Sequence, residues 1–315
     1  ATLPFRFEMA VAPGGGVPGD SLKLAAGSVF QAHFLRRREG RQMVIARGGI
    51  ALNEPVRLAE KGVQVSARAD RLDADGWRKA LAGKPAPGQT SGGEGTGGGF
   101  PLSGLALHVG ELQVLGQRLN DVNLNAVMED GGWQASLGSK EATGNIHWRD
   151  QGRGRLQARF KQLSVGAPQG GGAKEAEAHS ADEERLSELP GLDVIADSFV
   201  LRGHALGRLE LKAANRGDNW RLEHLSIVSP DGSLSGDGLW RPGAREETRL
   251  NFKLDVSSVE RMLSRLGYPE AVRRGQGSLE GLLSWKGPPT SLHLPSLGGK
   301  MKLRVDSGRS EEHTS

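Results

Sequence analysis

Apolar and polar residues alternate one by one in short runs along most of this chain. Near its start, Phe5, Phe7 and Met9 alternate with Arg6 and Glu8. The same period of two continues in the later runs VQVSARAD, RLELKA, RLNFKLDV and MKLRV. Because successive side chains of a β-strand point to opposite faces, this period predicts strands with one buried and one exposed face.

The residues that carry this pattern also repeat at a fixed spacing. Seven positions have an identical or similar residue 87 positions later: Leu105, Leu112, Gly116, Leu119, Val122, Leu124 and Trp133 match Leu192, Phe199, Gly203, Leu206, Leu209, Leu211 and Trp220. Gly144 and Trp148 match Gly236 and Trp240 at a spacing of 92, and Gly281 with Trp285 form a third echo. The sequence therefore predicts an array of large repeated units and not a two-domain enzyme.

Connections rich in small and charged residues divide the strands into segments. We predict the end of a preceding β unit with a short helix at 1–82, a Gly/Pro/Ser-rich linker at 83–100, a first β repeat unit at 101–165, a polar linker at 166–188, a second β repeat unit with the start of the next at 189–308, and a tail at 309–315. Short helices are predicted in DADGWRKAL and SSVERMLSRLGY, each after a strand.

The two ends of the chain carry their own signals. The last residues, RSEEHTS, read like the translation of a common sequencing adapter, so Ser310 to Ser315 are predicted to be artefactual and Arg309 is ambiguous. The chain also begins without Met or a signal peptide. We therefore expect it to be a fragment of a longer protein.

Composition narrows the class of protein. Only 37% of residues are hydrophobic and 47 are glycine, as expected for many short strands joined by tight turns. The absence of cysteine excludes a disulfide framework and a thiolate zinc site, and it fits a cytosolic or a periplasmic location. The 41 basic residues are interspersed with 37 acidic ones, which argues against nucleic-acid binding, and no run of 18 apolar residues predicts a membrane-spanning helix.

The sequence carries no recognisable pattern of catalytic or metal-binding residues. No histidine pair has the spacing of ligands on one helix face, and His147 and His224 fall within predicted strands. No serine occupies a nucleophile elbow. Dinucleotide-like spacings occur at Gly14, Gly16, Gly19 and at Gly93, Gly95, Gly98, without the flanking strand and helix. We predict no catalytic residue, no metal and no cofactor; a hydrolase is the most remote alternative.

Two groups of residues admit two interpretations. Arg36, Arg37, Arg38 and Arg41 form a cluster that we interpret as a solvated hairpin tip, with an anionic headgroup site as the alternative. The recurring tryptophans are interpreted as packing residues at strand ends, with a ligand platform as the alternative. They are Trp133, Trp148, Trp220, Trp240 and Trp285.

The strands outnumber the helices that could cover their apolar faces. Either the sheets cover one another as a sandwich, or they curl into a trough that something other than protein covers. Lipid acyl chains suit such a trough, because each buried methylene contributes roughly 0.8 kcal/mol.

The later part of the chain resembles a known family. The segments LPGLDVIADSFVLRGHALGRLELKA, GDGLW, TRLNFKLDVSSVERMLSRLGYPEAVRRGQGSLEGLLSWKGPP and LGGKMKLRVDSG are similar to the AsmA-like proteins of Gram-negative bacteria, in particular the YhdP branch. The resemblance is close from Leu189 to Gly308 and looser from Leu102 to Leu163. Its most specific part is a set of structural residues: Leu266, Gly267, Tyr268, Gly275, Gly277, Gly281 and Trp285.

The resemblance implies a periplasmic protein that is anchored in the inner membrane by an amino-terminal helix absent from this chain. It implies a curled β-sheet body whose hydrophobic groove carries phospholipids toward the outer membrane. Phospholipid acyl chains and the inner membrane would be its partners, with outer-membrane or periplasmic proteins as further ones. The family offers no residue with a chemical role to transfer, so only the alternating lining positions are carried over.

We therefore predict a mainly β fold in which repeated antiparallel β units curl into an elongated, β-taco-like groove with short helices between strands. The residues predicted to line the groove are Val122, Leu124, Leu156, Phe160, Leu209, Leu211, Leu222, Leu250, Phe252, Leu254, Met301 and Leu303. Their neighbours Asn123, Glu210, Lys212, Asn251 and Lys253 are predicted to face water. The expected function is a non-enzymatic lipid conduit; the alternative is a structural or assembly scaffold built from dry sandwiches.

Overall fold

The computed structural model describes residues 4–11, 19–76, 102–114, 116–150, 152–166, 189–243, 246–268, 275–289 and 292–306. The predicted linker at 83–100, nearly all of that at 166–188 and the predicted tail lie outside these residues. So do the dinucleotide-like glycine spacings, except for Gly19.

Strands make up most of the described residues, in agreement with the alternation of the sequence. They are β1 Phe5–Val11, β2 Gly19–Ala26, β3 Phe30–Glu39, β4 Gln42–Leu52, β5 Gly62–Asp73, β6 Leu102–Val114, β7 Gln117–Glu129, β8 Gly132–Gly138, β9 Ala142–Arg149, β10 Arg155–Val165, β11 Gly191–Leu201, β12 His204–Arg216, β13 Asn219–Ser229, β14 Gly232–Arg241, β15 Glu247–Val256, β16 Gln276–Trp285 and β17 Gly298–Asp306. Helix α1 spans Val259–Arg265, a 3-10 turn spans Leu294–Ser296, and a helical turn begins at Ala74. The mainly β prediction with short helices is confirmed.

The chain divides into two compact units, Ala1–Asn145 and Ile146–Ser315, with the boundary inside β9. In unit 1, strands β1 to β8 pair in chain order. In unit 2, strands β10 to β17 do the same. Each unit therefore carries a sheet of consecutive strands, and the domain boundaries drawn from the sequence stay predictions.

Three strand pairs are parallel, which the sequence did not predict. They are β4–β5, β5–β6 and β10–β11; the other described ladders are antiparallel. A parallel neighbour must start at the same end as its partner, so its connection has to return along the sheet. The two predicted linkers lie between the strands of the β5–β6 and β10–β11 pairs. Parallel neighbours thus occur within an arrangement whose other described ladders are antiparallel.

The sequence repeat places equivalent residues at equivalent positions. Gly116 and Gly203 occupy the β6–β7 and β11–β12 turns with φ of 68° and 84°, values that favour glycine. Leu112 and Phe199, one repeat apart, are both buried on the strands that precede these turns. The two hairpins are thus built to one plan.

Helix α1 is attached to the β13–β14 turn through one buried carboxylate. Asp231 in that turn is 2% exposed, and its carboxylate accepts hydrogen bonds from Nε of Arg261 at 2.9 Å and Nε of Arg265 at 3.0 Å. Ser258 caps the helix, since its Oγ accepts the backbone N–H of Arg261. The Arg265 hydrogen bond, ahead of the smaller Arg261 contribution, holds the pKa of Asp231 below its usual value.

We expect Asp231→Asn to release α1, because the amide leaves both guanidinium groups without their counter-charge. Backbone amides of Met262 and Leu266 should exchange hydrogen roughly tenfold faster at pH 7, as expected for local opening. In the wild type, the lowered pKa of Asp231 means that its ion pairs stabilise the folded state fully above pH 3.8, the pKa of an ordinary aspartate. This stabilisation is lost as the pH falls through the still lower pKa that Asp231 has in the folded state. If hydrogen exchange of these amides is unchanged in Asp231→Asn, Asp231 does not hold the helix. The control is Asp237→Asn, because Asp237 is an exposed acid on β14.

Candidate functional site: an apolar face on each sheet

Residues directly opposite one another on neighbouring strands share one face of a sheet, so the ladder registers define rows across it. In unit 2, three rows cross all eight strands and contain only apolar residues and glycine. The first is Leu156, Leu192, Ala213, Leu222, Gly238, Leu250, Leu283 and Gly299. The second is Ala158, Val194, Leu211, Leu225, Gly236, Phe252, Gly281 and Met301. The third is Phe160, Ala196, Leu209, Ile227, Leu234, Leu254, Leu279 and Leu303.

Unit 1 carries a face of the same kind. One row is Phe5, Ala26, Phe30, Leu52, Ala67, Leu107, Leu124 and Leu137. The next is Phe7, Leu24, Ala32, Ile50, Val65, Leu105, Ala126 and Ala135. A shorter row of Met9, Leu22, Phe34, Gly48, Val63 and Leu102 lies beside it. We call these surfaces the apolar faces of unit 1 and unit 2.

The residues predicted to line a groove all lie on these two faces. Two of them belong to unit 1: Leu124 lies in a row of the apolar face, and Val122 lies two residues away on the same face. The other ten belong to the three rows of unit 2. The five polar neighbours lie on the opposite face, where all are exposed except the half-buried Glu210. The arrangement brings the unit 2 residues together, and their role as a lipid lining stays a prediction.

Burial distinguishes this face from a dry core. In a sandwich the large inner side chains of two sheets interdigitate and become fully buried. Here Leu211, Leu222, Leu250, Phe252 and Leu254 are only half-buried. The fully buried members of the unit 2 rows are three alanines and one leucine: Ala158, Ala196, Ala213 and Leu209. On the edge strand β17, Met301 is 65% exposed and Leu303 is 67% exposed.

Phe252 has space beside it within its row. Its two cross-strand partners are Gly236 on β14 and Gly281 on β16. A Cβ at Gly236 would lie 2.7 Å from the carbonyl oxygen of Asn251, so a larger residue there would disturb the ladder. Phe252 therefore has no side chain directly opposite it on either neighbouring strand, which sequence alternation alone did not reveal.

One end of the unit 2 face is closed by a row of tryptophans. Trp220, Trp240, Thr248 and Trp285 lie opposite one another in successive strands and are each no more than 6% exposed. Their polar atoms form hydrogen bonds with residues of the adjoining loops. The indole Nε1 of Trp220 donates to Pro190 O at 2.9 Å, that of Trp240 to Glu246 Oε1 at 2.9 Å, and that of Trp285 to Pro288 O at 3.2 Å. Thr248 Oγ1 donates to Gly287 O at 2.7 Å. The packing interpretation is confirmed for these three tryptophans; Trp133 and Trp148 are half-buried.

The arginine cluster lies at the β3–β4 hairpin, as predicted. Arg36 donates two hydrogen bonds to Asp20, at 2.7 and 2.6 Å, and Arg37 donates to Glu39 at 2.9 Å. Two of the four cations are thus paired within the hairpin region, which favours the hairpin tip over an anionic headgroup site.

Within the described ranges, no group of three or more His, Asp or Glu residues is placed to hold a metal ion. Among those same residues, no helix has the length and apolar character needed to cross a membrane.

These observations define a class of protein: a repeat-built β-sheet protein with one continuous, half-open apolar face in each unit. A family model described as YhdP protein matches residues 2–315, and the chain therefore belongs to the YhdP family. No curated protein sequence and no solved structure matches the chain.

Proposed function

We propose that this chain is a segment of a periplasm-spanning conduit that moves phospholipids between the inner and outer membranes along a hydrophobic β-groove. Membership of the YhdP family supports a role related to lipid transport. The observation that carries the proposal is the half-exposed apolar face of unit 2, which is unbroken over three rows and eight strands.

An apolar surface of this extent is unfavourable in water unless something covers it. Acyl chains suit it because they gain roughly 0.8 kcal/mol per buried methylene and need no hydrogen bonds. The opposite face stays polar: Lys302 and Glu280 approach at 3.5 Å, and Lys253 binds Asp255 at 2.8 Å. A lipid bound to one face of such a sheet would leave the other face in contact with water.

The role we propose is non-catalytic, in the periplasm, with inner-membrane anchorage supplied by the rest of the protein. Its partners are phospholipid acyl chains, the inner membrane and other envelope proteins. A scaffold for outer-membrane biogenesis is the alternative; the half-burial of Leu211, Phe252 and Leu254 favours the conduit over the dry sandwich that the scaffold requires.

Photo-crosslinking in cells that express the protein tests this proposal. A photo-reactive amino acid at Leu211 or Phe252 should give adducts with phospholipid, because these positions lie in the second row of the apolar face. The same amino acid at Lys212 or Lys253, one residue along the same strands, should give at least tenfold less, since adjacent residues face opposite ways. Protein adducts at Leu211 and Phe252 with no lipid would favour the scaffold.

A further inference from the structure

Helix α1 lies at the end of unit 2 that is opposite the tryptophan row. Trp220 lies at the start of strand β13, whereas Asp231, which holds α1, follows the end of that strand. The helix begins three residues after Val256, the last residue of β15. The N–H of Val259 donates to the carbonyl oxygen of Gly275, just before β16, at 3.0 Å. The helix therefore starts where β15 and β16 adjoin.

From this point α1 crosses the ends of the neighbouring strands. Its seven residues span roughly 10 Å, about twice the spacing of roughly 4.8 Å between paired strands. Asp231 in the β13–β14 turn contacts the helix through Arg261 and Arg265. Beyond that turn, Nδ1 of His204, the first residue of β12, lies 3.1 Å from the carbonyl oxygen of Arg265. The helix thus borders the sheet of unit 2 from β15 to β12.

The row of the apolar face at this end has no large side chain from β14 to β17. It lies two residues beyond the third row, on the same face, and contains Gly232, Val256, Gly277 and Val305. Val256 is half-buried, and Val305 on the edge strand is 65% exposed. This end of the face is therefore built from small residues, whereas buried indoles fill the other end.

One side of α1 is apolar. Residues at i, i+3, i+4 and i+7 lie on one side of a helix, and at these positions the chain carries Val259, Met262, Leu263 and Leu266. All four are half-buried, and no residue of α1 is fully buried. The apolar side of the helix is thus only partly covered by the residues that the structure describes.

Polar contacts hold α1 in place. Its arginines bind Asp231 from a side of the helix next to the apolar one, and His204 contacts its last turn. A helix of seven residues is too short to be stable by itself, so its position depends on these contacts. A segment without fully buried residues opens at a lower free energy than the sheet that it borders. We therefore expect α1 to move while the strands stay paired.

We infer that α1 is a movable lip of the unit 2 apolar face and that its side chains Met262 and Leu263 contact the acyl chain of a bound phospholipid. This inference rests on the proposed function and extends the lipid-binding surface from the sheet to the helix. A methionine suits this contact, because its flexible thioether side chain adapts to apolar partners of irregular shape. When the contact with Asp231 opens, an acyl chain can enter the face at its end.

Photo-crosslinking in cells tests the lip. A photo-reactive amino acid at Met262 should give adducts with phospholipid, because this position lies on the apolar side of α1. The matched control is Ser264, which is exposed and lies about 200° around the helix from Met262. At Ser264 the same amino acid should give roughly tenfold less lipid adduct, since a side chain on the opposite side of a helix faces water.

The variant Asp231→Asn tests whether the attached position of α1 matters. The amide removes the charge that both guanidinium groups contact, so lipid adducts at Met262 should fall about tenfold, as expected for losing charge-assisted hydrogen bonds. Asp237→Asn removes an exposed acid from β14 and should leave the adducts at Met262 unchanged.

A photo-reactive amino acid at Phe252 separates this inference from the proposed function. Lipid adducts at Phe252 in the wild type and in Asp231→Asn show that the sheet is folded and that its apolar face binds lipid. With lipid at Phe252, the lip is overturned by protein adducts in place of lipid at Met262, by equal lipid at Ser264, or by Met262 adducts that Asp231→Asn leaves unchanged; the conduit then stands. Absence of lipid at both Phe252 and Met262 in the wild type would refute the proposed function.

Discussion

Replacing Trp240 by alanine is expected to destabilise unit 2 by about 3–5 kcal/mol, the usual cost of removing a large buried aromatic side chain. Trp240 is 1% exposed and lies between Trp220 and Thr248 in the row that closes one end of the apolar face. Truncation would leave a cavity there and would leave Glu246 without the indole N–H that it accepts at 2.9 Å. Urea unfolding followed by circular dichroism measures the effect.

The control for this variant lies on the same strand. Leu239→Ala, one residue away, points to the opposite face and is half-buried, so its cost should be about 1 kcal/mol. Equal losses for Trp240→Ala and Leu239→Ala would mean that the tryptophan row is not part of the stabilising core. The Trp240→Phe variant should fall between wild type and Trp240→Ala, because it keeps most of the buried area and loses the hydrogen bond.

The sequence predicted which face each strand turns inward wherever the alternation is unbroken. In β15, Leu250, Phe252 and Leu254 lie on the apolar face while Asn251 and Lys253 lie on the other, as the pattern of two requires. Such a strand needs no tertiary information, because the pleat fixes the direction of each side chain. The same reasoning placed Val122 and Leu124 on one face of β7.

Strand β13 shows where this reasoning fails. Between Leu222 and Leu225 the pairing with β14 shifts, so Leu222, Leu225 and Ile227 all lie on the apolar face although their spacing is not a simple period of two. A bulge inserts an extra residue and moves the later side chains to the other face. From the sequence only Leu222 was assigned; the leucine and isoleucine beyond the bulge were missed.

The sequence also did not predict which strands pair with each other across the linkers. The parallel β5–β6 and β10–β11 pairs join strands that are separated by the predicted linkers, and alternation carries no information on the partner of a strand.

Glycines were missed as members of the apolar face for a different reason. They have no apolar side chain to mark them, so a hydrophobic pattern passes over Gly236, Gly238 and Gly281. Register reveals that each stands opposite a large residue of the face. At these three positions the apolar face therefore has no side chain opposite a large residue.

Phe252→Asp is expected to block lipid passage along unit 2 without unfolding it. Phe252 stands in the middle row with a glycine on each side, and its half-exposed position leaves an introduced carboxylate able to meet water when no lipid is bound. A bound acyl chain would have to desolvate that carboxylate, at a cost on the order of several kcal/mol, against the roughly 0.8 kcal/mol that each methylene contributes. Lipid adducts at a photo-reactive residue placed at Leu222, on the same face, should fall at least tenfold.

Ser235→Asp is the matched control, because it adds the same charge on the polar face of the neighbouring strand β14, where Ser235 is exposed and lies opposite Lys253. It should leave lipid adducts at Leu222 within about twofold of wild type, since an exposed carboxylate stays solvated whether or not lipid is bound. Phe252→Leu should also retain them, because it preserves the apolar row. If Ser235→Asp reduces the adducts as strongly as Phe252→Asp, the effect is one of charge or folding and the apolar face is not the path of the lipid. Full lipid loading in Phe252→Asp would exclude the middle row from that path.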